Sequence, residues 1–218
     1  MSTIRLGAIF LIVGSIISLI FSLLWIIGPQ PEVGANIFEK FGQQSLKSGT
    51  STKIFSLLQS FPLLLLLFGV RAVGEKLVAS KTNKNGLSQF GILVFTFGVL
   101  FNLISNLLNF SMAEGTNQTV GLFASISWSF GFGGGIFQTI GIALLAFAVA
   151  KSETFQKTFA SIVAVIHTIT AVIILVNFLF LFDPMDFSSF SNTVLPAFIV
   201  TQIIIVIWAF LLNQKMKD

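Results

Sequence analysis

Six apolar segments dominate this chain, and each is long enough to cross a membrane. A helix that spans the hydrocarbon core of a bilayer needs about 20 mostly apolar residues. The segments lie at roughly 6–28, 54–74, 88–110, 124–150, 159–182 and 194–213. Charged residues make up only 9% of the chain, whereas soluble domains carry about 25%. The sequence therefore predicts an all-α fold, a six-transmembrane-helix bundle that forms a single transmembrane domain over residues 1–218.

Basic residues are distributed unevenly between the two ends of such a bundle. With six spans, both termini lie on one side of the membrane. Nine of the twelve basic residues fall on that side, namely Arg5, Arg71, Lys76, Lys81, Lys84, Lys151, Lys157, Lys215 and Lys217. The other three, Lys40, Lys47 and Lys53, fall on the opposite side. Because cytoplasmic loops are enriched in lysine and arginine, we expect a multi-pass protein of the cell membrane with both termini in the cytoplasm.

The longest connection, at about 29–53, follows the first predicted span. Pro29 and Pro31 end the preceding helix, because proline lacks an amide donor and fixes its own torsion angle. Ile37, Phe38 and Phe41 then recur at helical spacing. Both a short helix in the membrane interface and an ordinary loop with a few apolar anchors fit this pattern.

The first and third predicted helices share a spacing of small residues, and the second and fourth helices resemble each other more weakly. The aligned pairs are Gly7 with Gly91, Gly14 with Gly98, Gln59 with Gln138 and Phe68 with Phe147. Repeats of this kind suggest a bundle built from three related helical hairpins. Chance similarity between leucine-rich spans is the alternative.

Small residues recur every four positions along the fourth predicted helix. They are Ser127, Gly131, Gly135, Thr139 and Ala143. Small side chains let membrane helices approach closely, so we interpret this stripe as a helix-packing seam. The alternative is that Gly131–Gly135 unwinds to line a binding site, because irregular backbone is tolerated in a membrane where it borders a cavity.

Side-chain amides gather in the predicted outer half of the membrane. Asn102 and Asn106 share one face of the third helix, and Gln59 and Gln202 reach a similar depth in the second and sixth. Polar groups that face lipid are costly, so these side chains must face protein or water. Hydrogen bonding between helices is the favoured interpretation. A polar pathway that opens outward is the alternative.

His167 is the only histidine and lies well inside the fifth predicted span. An intramembrane histidine can relay protons or bind a ligand. It is more often a neutral, hydrogen-bonded core residue, which is the interpretation we prefer. If the amides do line a pathway, His167 belongs at its inner floor.

The sequence lacks the residues that most membrane enzymes require. It contains no cysteine and a single histidine, and no aspartate or glutamate lies within a predicted span. We therefore expect no catalytic residue, no metal site, no cofactor and no enzymatic activity. The net charge of +4 is explained by basic residues at helix ends, so we expect no nucleic-acid partner. The expected partners are the lipid bilayer and other membrane helices or a second copy of the chain.

Two stretches give the chain a resemblance to a known group. The glycine-spaced opening span Gly7–Leu24 and the stretch Gly141–Ala146 before Lys151 resemble those of the uncharacterised six-helix integral membrane proteins of bacteria and archaea, a domain of unknown function. The resemblance implies a six-helix layout and no particular activity. We therefore expect a non-enzymatic helix-packing or accessory component of the membrane, with a channel or carrier for a small neutral or amphipathic solute as the alternative.

Overall fold

The computed structural model describes residues 3–27, 36–79, 86–151 and 157–215. Its α-helices are α1 (Thr3–Ile27), α2 (Ile37–Ser48), α3 (Thr50–Ala79), α4 (Leu87–Met112), α5 (Val120–Ala150), α6 (Lys157–Val176) and α7 (Leu195–Lys215). A π-helical turn, Asn177–Leu181, continues α6, and a second, Phe190–Val194, leads into α7. No strand occurs in these ranges, and six of the helices are long and apolar enough to cross a membrane. The prediction of an all-α six-helix bundle is confirmed.

The six long helices form a closed ring. α1 packs on α3, α3 on α4, α4 on α5, α5 on α6 and α6 on α7, and α7 returns to α1. Neighbours in sequence are thus neighbours in space, as short connections between antiparallel spans dictate. The arrangement is that of a multi-pass membrane protein. Several residues used in the sequence predictions lie outside the described ranges, namely Pro29, Pro31, Lys81, Lys84 and Lys217.

The two ends of the ring are packed differently. We call the end that carries Thr3 and Lys215 the terminal end, and the opposite end, which carries α2, the α2 end. One apolar cluster fills the terminal half, and its members include Leu11 of α1, Val70 of α3, Phe95 of α4, Leu145 of α5, Ala164 of α6 and Trp208 of α7. Each of these side chains is at most 2% exposed. Apolar side chains from all six long helices thus meet in this half of the bundle.

Glycines bring α1 against α3 and α4 against α5 through matching contacts. A Cβ added to Gly14 would lie 3.0 Å from the Pro62 carbonyl oxygen and 3.0 Å from Leu66 Cγ. A Cβ added to Gly98 would lie 2.7 Å from the Gly134 carbonyl oxygen and 2.7 Å from Gln138 Cγ. The contacts at Gly98 are too short for an ordinary side chain, and those at Gly14 are tight, so glycine favours this close approach of the helices.

In each hairpin a second glycine, two helical turns from the first, makes a similar close contact. Gly7 lies against Gly69 and Ala72 of α3, and Gly91 lies against Gly141 and Leu144 of α5. The pairing of the odd helices expected from the sequence thus has a structural counterpart. The even helices correspond in a different register, because Gly14 contacts Leu66 of α3 in the way that Gly98 contacts Gln138 of α5. Leu66 is therefore the counterpart of Gln138, and the predicted pairing of Gln59 with Gln138 is wrong by seven residues. α6 and α7 contain no glycine and share none of these contacts.

The first hairpin is longer than the second, and it contains α2. The contacting residues Gly14 and Pro62 are 48 positions apart, whereas Gly98 and Gly134 are 36 positions apart. The difference of 12 equals the length of α2. Helix α2 thus accounts for the difference in spacing between two hairpins with matching glycine contacts.

Helix α2 has well-defined ends and one buried face. At its start the Asn36 Oδ1 accepts the backbone N–H of Phe38 at 2.9 Å, an N-cap that satisfies one of the free amides of the first turn. At its end Gly49 adopts a left-handed φ of 43°, which favours glycine. Ile37 and Gly42 are buried, and a Cβ on Gly42 would lie 2.7 Å from the Val120 carbonyl oxygen. The structure thus contains a helix at this position rather than the alternative loop.

Candidate ligand cavity

A cavity of about 630 Å³ occupies the α2 half of the bundle. It lies between α1, α3, α4, α5 and the start of α7, and α2 lies across its end. Its exposed lining residues are Gln44, Ser48 and Ser51 at the α2–α3 corner and Leu24 and Phe55 on α1 and α3, so it opens at the α2 end and along the α1–α3 side. Pro62, Leu63 and Phe198 line it on the side of the terminal half. The volume falls within the range of sites that hold small organic ligands, about 300–1,000 Å³.

Three of the five residues predicted for a polar pathway line this cavity. They are Gln59 of α3 and Asn102 and Asn106 of α4. Asn106 Nδ2 donates to Ser60 Oγ on α3 at 3.1 Å, and Asn102 Nδ2 donates to the Gly98 carbonyl oxygen at 3.1 Å. Asn106 therefore joins two helices and also borders the cavity. The sequence analysis treated hydrogen bonding between helices and a polar cavity wall as alternatives. The Asn106 side chain does both.

Gln202 and His167 do not line the cavity. His167 is 1% exposed, and its Nδ1 lies 2.9 Å from the Val163 carbonyl oxygen of the preceding turn. Within the described part of the chain, His167 Nε2 and Gln202 Oε1 are buried without a hydrogen-bond partner. The structure thus places these two side chains among packed helices and apart from the three amides.

The five small residues of the predicted α5 seam have different neighbours. Ser127 contacts α4, since its Oγ lies 2.9 Å from Ser105 Oγ and donates to Asn109 Oδ1 at 2.7 Å. A Cβ on Gly131 would meet only Ser105 Oγ, at 3.5 Å, an ordinary contact, and Gly131 lines the cavity. A Cβ on Gly135 would lie 2.6 Å from Phe198 Cζ of α7. The stripe therefore passes from α4 to the cavity and on to α7.

Thr139 and Ala143 complete the stripe, and the backbone of α5 stays helical along its whole length. Thr139 and Ala143 are 4% and 5% exposed, as buried packing residues are. α5 is an uninterrupted helix from Val120 to Ala150, so the alternative of an unwound Gly131–Gly135 is wrong. The closest approach to α4 is made by Gly134 and Gly141 instead. The sequence analysis did not identify these two glycines as contacts of α4.

Aromatic side chains form a further part of the cavity wall. Trp128 is at the centre, with ring centroids 5.5 Å from Phe41, 5.7 Å from Phe132 and 5.3 Å from Phe190. All four rings line the cavity. Offset and edge-to-face pairs of this kind are favourable beyond the area that they bury. The rings come from α2, α5 and the π-helical turn before α7, so the sequence analysis did not bring them together.

Asn177 holds the two π-helical turns together beside this aromatic wall. The side chain is 1% exposed, and its Nδ2 donates to Ser189 Oγ at 2.5 Å and to Thr193 Oγ1 at 3.2 Å. The same connection binds α2, because the Ile37 N–H donates to the Pro184 carbonyl oxygen at 2.9 Å. The segment that carries Phe190 is thereby fixed to both α6 and α2.

The cavity wall carries no charged side chain among the described residues. Nearby, Lys53 forms an ion pair with Glu114 and lies over the Phe110 ring, 5.7 Å from its centroid, but neither charged residue lines the cavity. Across the described ranges, no cluster of three or more histidine, aspartate or glutamate side chains is arranged to hold a metal ion. The wall therefore offers hydrogen bonds and aromatic faces to an uncharged molecule.

Comparisons of the chain with protein-family models, with curated proteins and with solved structures give no match. The resemblance to the uncharacterised six-helix membrane proteins accordingly stays a prediction.

Proposed function

We propose that this protein is a non-enzymatic membrane carrier that binds a small uncharged solute in the cavity at its α2 end. The observation that carries this proposal is the contrast between the two halves of the bundle. One half holds a cavity of about 630 Å³ with amide, hydroxyl and aromatic groups on its wall, whereas buried apolar side chains from all six long helices pack together in the other half. A carrier in one of its end states has such a one-sided path, whereas a conducting channel needs a continuous one.

The neutral wall restricts the kind of solute. An ion that enters a poorly hydrated cavity loses much of its hydration, which is costly unless an opposite charge compensates. The described wall has no carboxylate, ammonium or guanidinium group to do so. Uncharged molecules with both polar and apolar surface fit the mixture of side chains present.

The other candidate function is an accessory component that packs against partner helices. The interhelical hydrogen bonds of Asn106 and Ser127 support it, because amides and hydroxyls commonly hold membrane helices together. The tight glycines, however, are used inside the chain: Gly98 meets α5, Gly14 meets α3 and Gly135 meets α7. These seams are thus occupied without a partner, which favours the solute carrier.

The proposed location is the cell membrane, with both termini in the cytoplasm and the α2 end outside. Support comes from the basic residues Arg5, Arg71, Lys76, Lys151 and Lys157 at the terminal end and from the positive-inside rule. In this orientation the cavity opens to the exterior. The lipid bilayer is the only partner that the proposal requires.

Cysteine labelling tests the orientation directly, because the chain has no native cysteine. We expect a Glu114→Cys variant to react with a membrane-impermeant thiol reagent added to intact cells. The matched variant, Lys151→Cys at the terminal end, should react only after the cells are permeabilised. The reverse pattern would place the α2 end in the cytoplasm and contradict the proposed orientation.

The same reagent tests whether the cavity admits water and solutes. We expect Asn102→Cys, on the cavity wall, to react in the folded protein. Gln202→Cys, outside the cavity, should react at least about tenfold more slowly, the ratio that a barrier of about 1.4 kcal/mol produces. Both should react fully after denaturation, which controls for intrinsic reactivity. An unreactive cysteine at position 102 in the native protein would contradict a solute-binding cavity and favour the accessory component.

A further inference from the structure

Three hydroxyl groups on the cavity wall donate their protons to backbone carbonyl groups. Ser22 Oγ donates to the Ser18 carbonyl oxygen at 3.0 Å, and Ser56 Oγ donates to the Thr52 carbonyl oxygen at 2.9 Å. Thr52 Oγ1 donates to the Ser45 carbonyl oxygen at 3.1 Å. A hydroxyl has one proton and two lone pairs. Toward the cavity these three groups can therefore act only as acceptors.

The amides add further acceptors and a few donors. Asn102 donates one amide N–H to the Gly98 carbonyl oxygen, and Asn106 donates one to Ser60 Oγ. An asparagine side chain has two amide protons and an oxygen with two lone pairs, so each keeps one proton for a ligand. Gln59 adds a third amide to the same wall. The wall therefore offers both acceptors and donors, and it suits a ligand that carries several hydroxyl groups.

The aromatic part of the wall suits the apolar face of a ring. Trp128, Phe132 and Phe190 line the cavity together with the amides, and flat aromatic surfaces can pack against C–H groups. The aromatic faces would also attract an organic cation. No carboxylate among the described lining residues compensates a full charge, however. The two walls together therefore require an uncharged molecule that has hydroxyl groups around a compact carbon skeleton.

We infer that the solute is a polyhydroxylated ring, a sugar or a cyclic polyol, whose hydroxyl protons bond to the amide and serine wall while its C–H groups rest on Trp128. This inference rests on the proposed function and narrows it. An alcohol with one hydroxyl would leave several buried acceptors without donors, which is unfavourable. A site built to bond hydroxyls rejects analogues that lack them by factors of up to about 10⁴.

Intrinsic fluorescence tests the inference, because Trp128 lies on the cavity wall. The full chain with Trp25→Phe and Trp208→Phe, in lipid nanodiscs, leaves Trp128 as the only indole. The probes are myo-inositol and glucose, with cyclohexanol as the matched ring that bears one hydroxyl, and choline as the cation. We expect saturable changes with inositol or glucose and affinity at least about 100-fold weaker for cyclohexanol, within the range of hydroxyl discrimination.

A cavity variant checks that the preference comes from the polar wall. Gln59→Leu should weaken binding of the hydroxylated ring at least about tenfold, toward that of cyclohexanol, and should leave the cyclohexanol affinity unchanged. Binding of cyclohexanol or choline as tight as that of the hydroxylated rings would overturn the inference and leave the solute-binding cavity standing. Binding of none of the four probes would also overturn the inference. Reaction of Asn102→Cys with the thiol reagent would then decide separately whether the carrier proposal survives.

Discussion

A Gly141→Leu variant is expected to lose much of its thermal stability, because α4 and α5 touch at this residue. A Cβ at position 141 would lie 2.6 Å from the Phe95 nitrogen and 2.7 Å from its Cα. The obstacle is backbone, so no side-chain rotation can relieve it. Overpacking of this kind costs about 1–3 kcal/mol or more, which corresponds to a decrease in Tm of roughly 2–12 °C for a chain of this size. Thermal unfolding in detergent measures the effect.

The matched control lies in the same helix. Gly131→Leu introduces the same side chain where a Cβ meets only Ser105 Oγ at an ordinary 3.5 Å, and it should change Tm by no more than about 2 °C. Ile142→Leu, next to the seam, conserves volume and should likewise cost little. Equal losses for Gly141→Leu and Gly131→Leu would show that the α4–α5 approach does not depend on glycine at position 141.

The six spans could be predicted because one physical requirement fixes them. Helices that cross a bilayer must be long and apolar, and each segment meets this requirement by its own composition, independently of the others. Helix α2 could not be decided, since the recurrence of Ile37, Phe38 and Phe41 is too short to separate a helix from an anchored loop. Its ends carried a clearer signal, Asn36 as a cap and Gly49 as a stop. Both residue types are typical of these positions.

The positions of Gly131 and Gly135 relative to other helices could not be predicted. A spacing of four places residues on one face of a helix, but it does not say what that face meets. In the structure the face meets α4 at Ser127, the cavity at Gly131 and Phe198 of α7 at Gly135. One stripe thus has three roles along its length.

The sequence predicted the amide wall of the cavity more fully than the aromatic wall. Asn102 and Asn106 lie one turn apart on one helix, and Gln59 lies at the same depth in its neighbour, so periodicity and depth were sufficient. Trp128 meets Phe41 and Phe190 across long stretches of chain, and no local pattern encodes such contacts. Gln202 shares the depth of the amides but not their cavity, because depth alone does not specify which way a side chain faces.

A phenylalanine at position 131 is expected to plug the cavity without unfolding the protein. Gly131 lines the cavity, and the space beside it is open, so the new ring would enter the volume that a solute uses. In a chain that also carries Asn102→Cys, we expect the reaction with the thiol reagent to slow at least about tenfold. This ratio corresponds to an activation barrier that is higher by about 1.4 kcal/mol. Binding of any solute in the cavity should be lost to a similar extent.

The same substitution one turn further along α5 should do the opposite. Gly135→Phe directs its ring at Phe198, whose Cζ would lie 2.6 Å from the added Cβ, and the cost of overpacking, about 1–3 kcal/mol, falls on the α5–α7 contact. We therefore expect Gly135→Phe to lower Tm and Gly131→Phe to preserve it. If Gly131→Phe unfolds the protein as readily as Gly135→Phe, both glycines belong to one packing seam, as their spacing in the sequence suggests. If it folds but leaves the cysteine of Asn102→Cys fully reactive, the cavity beside Gly131 is not the path by which the reagent enters.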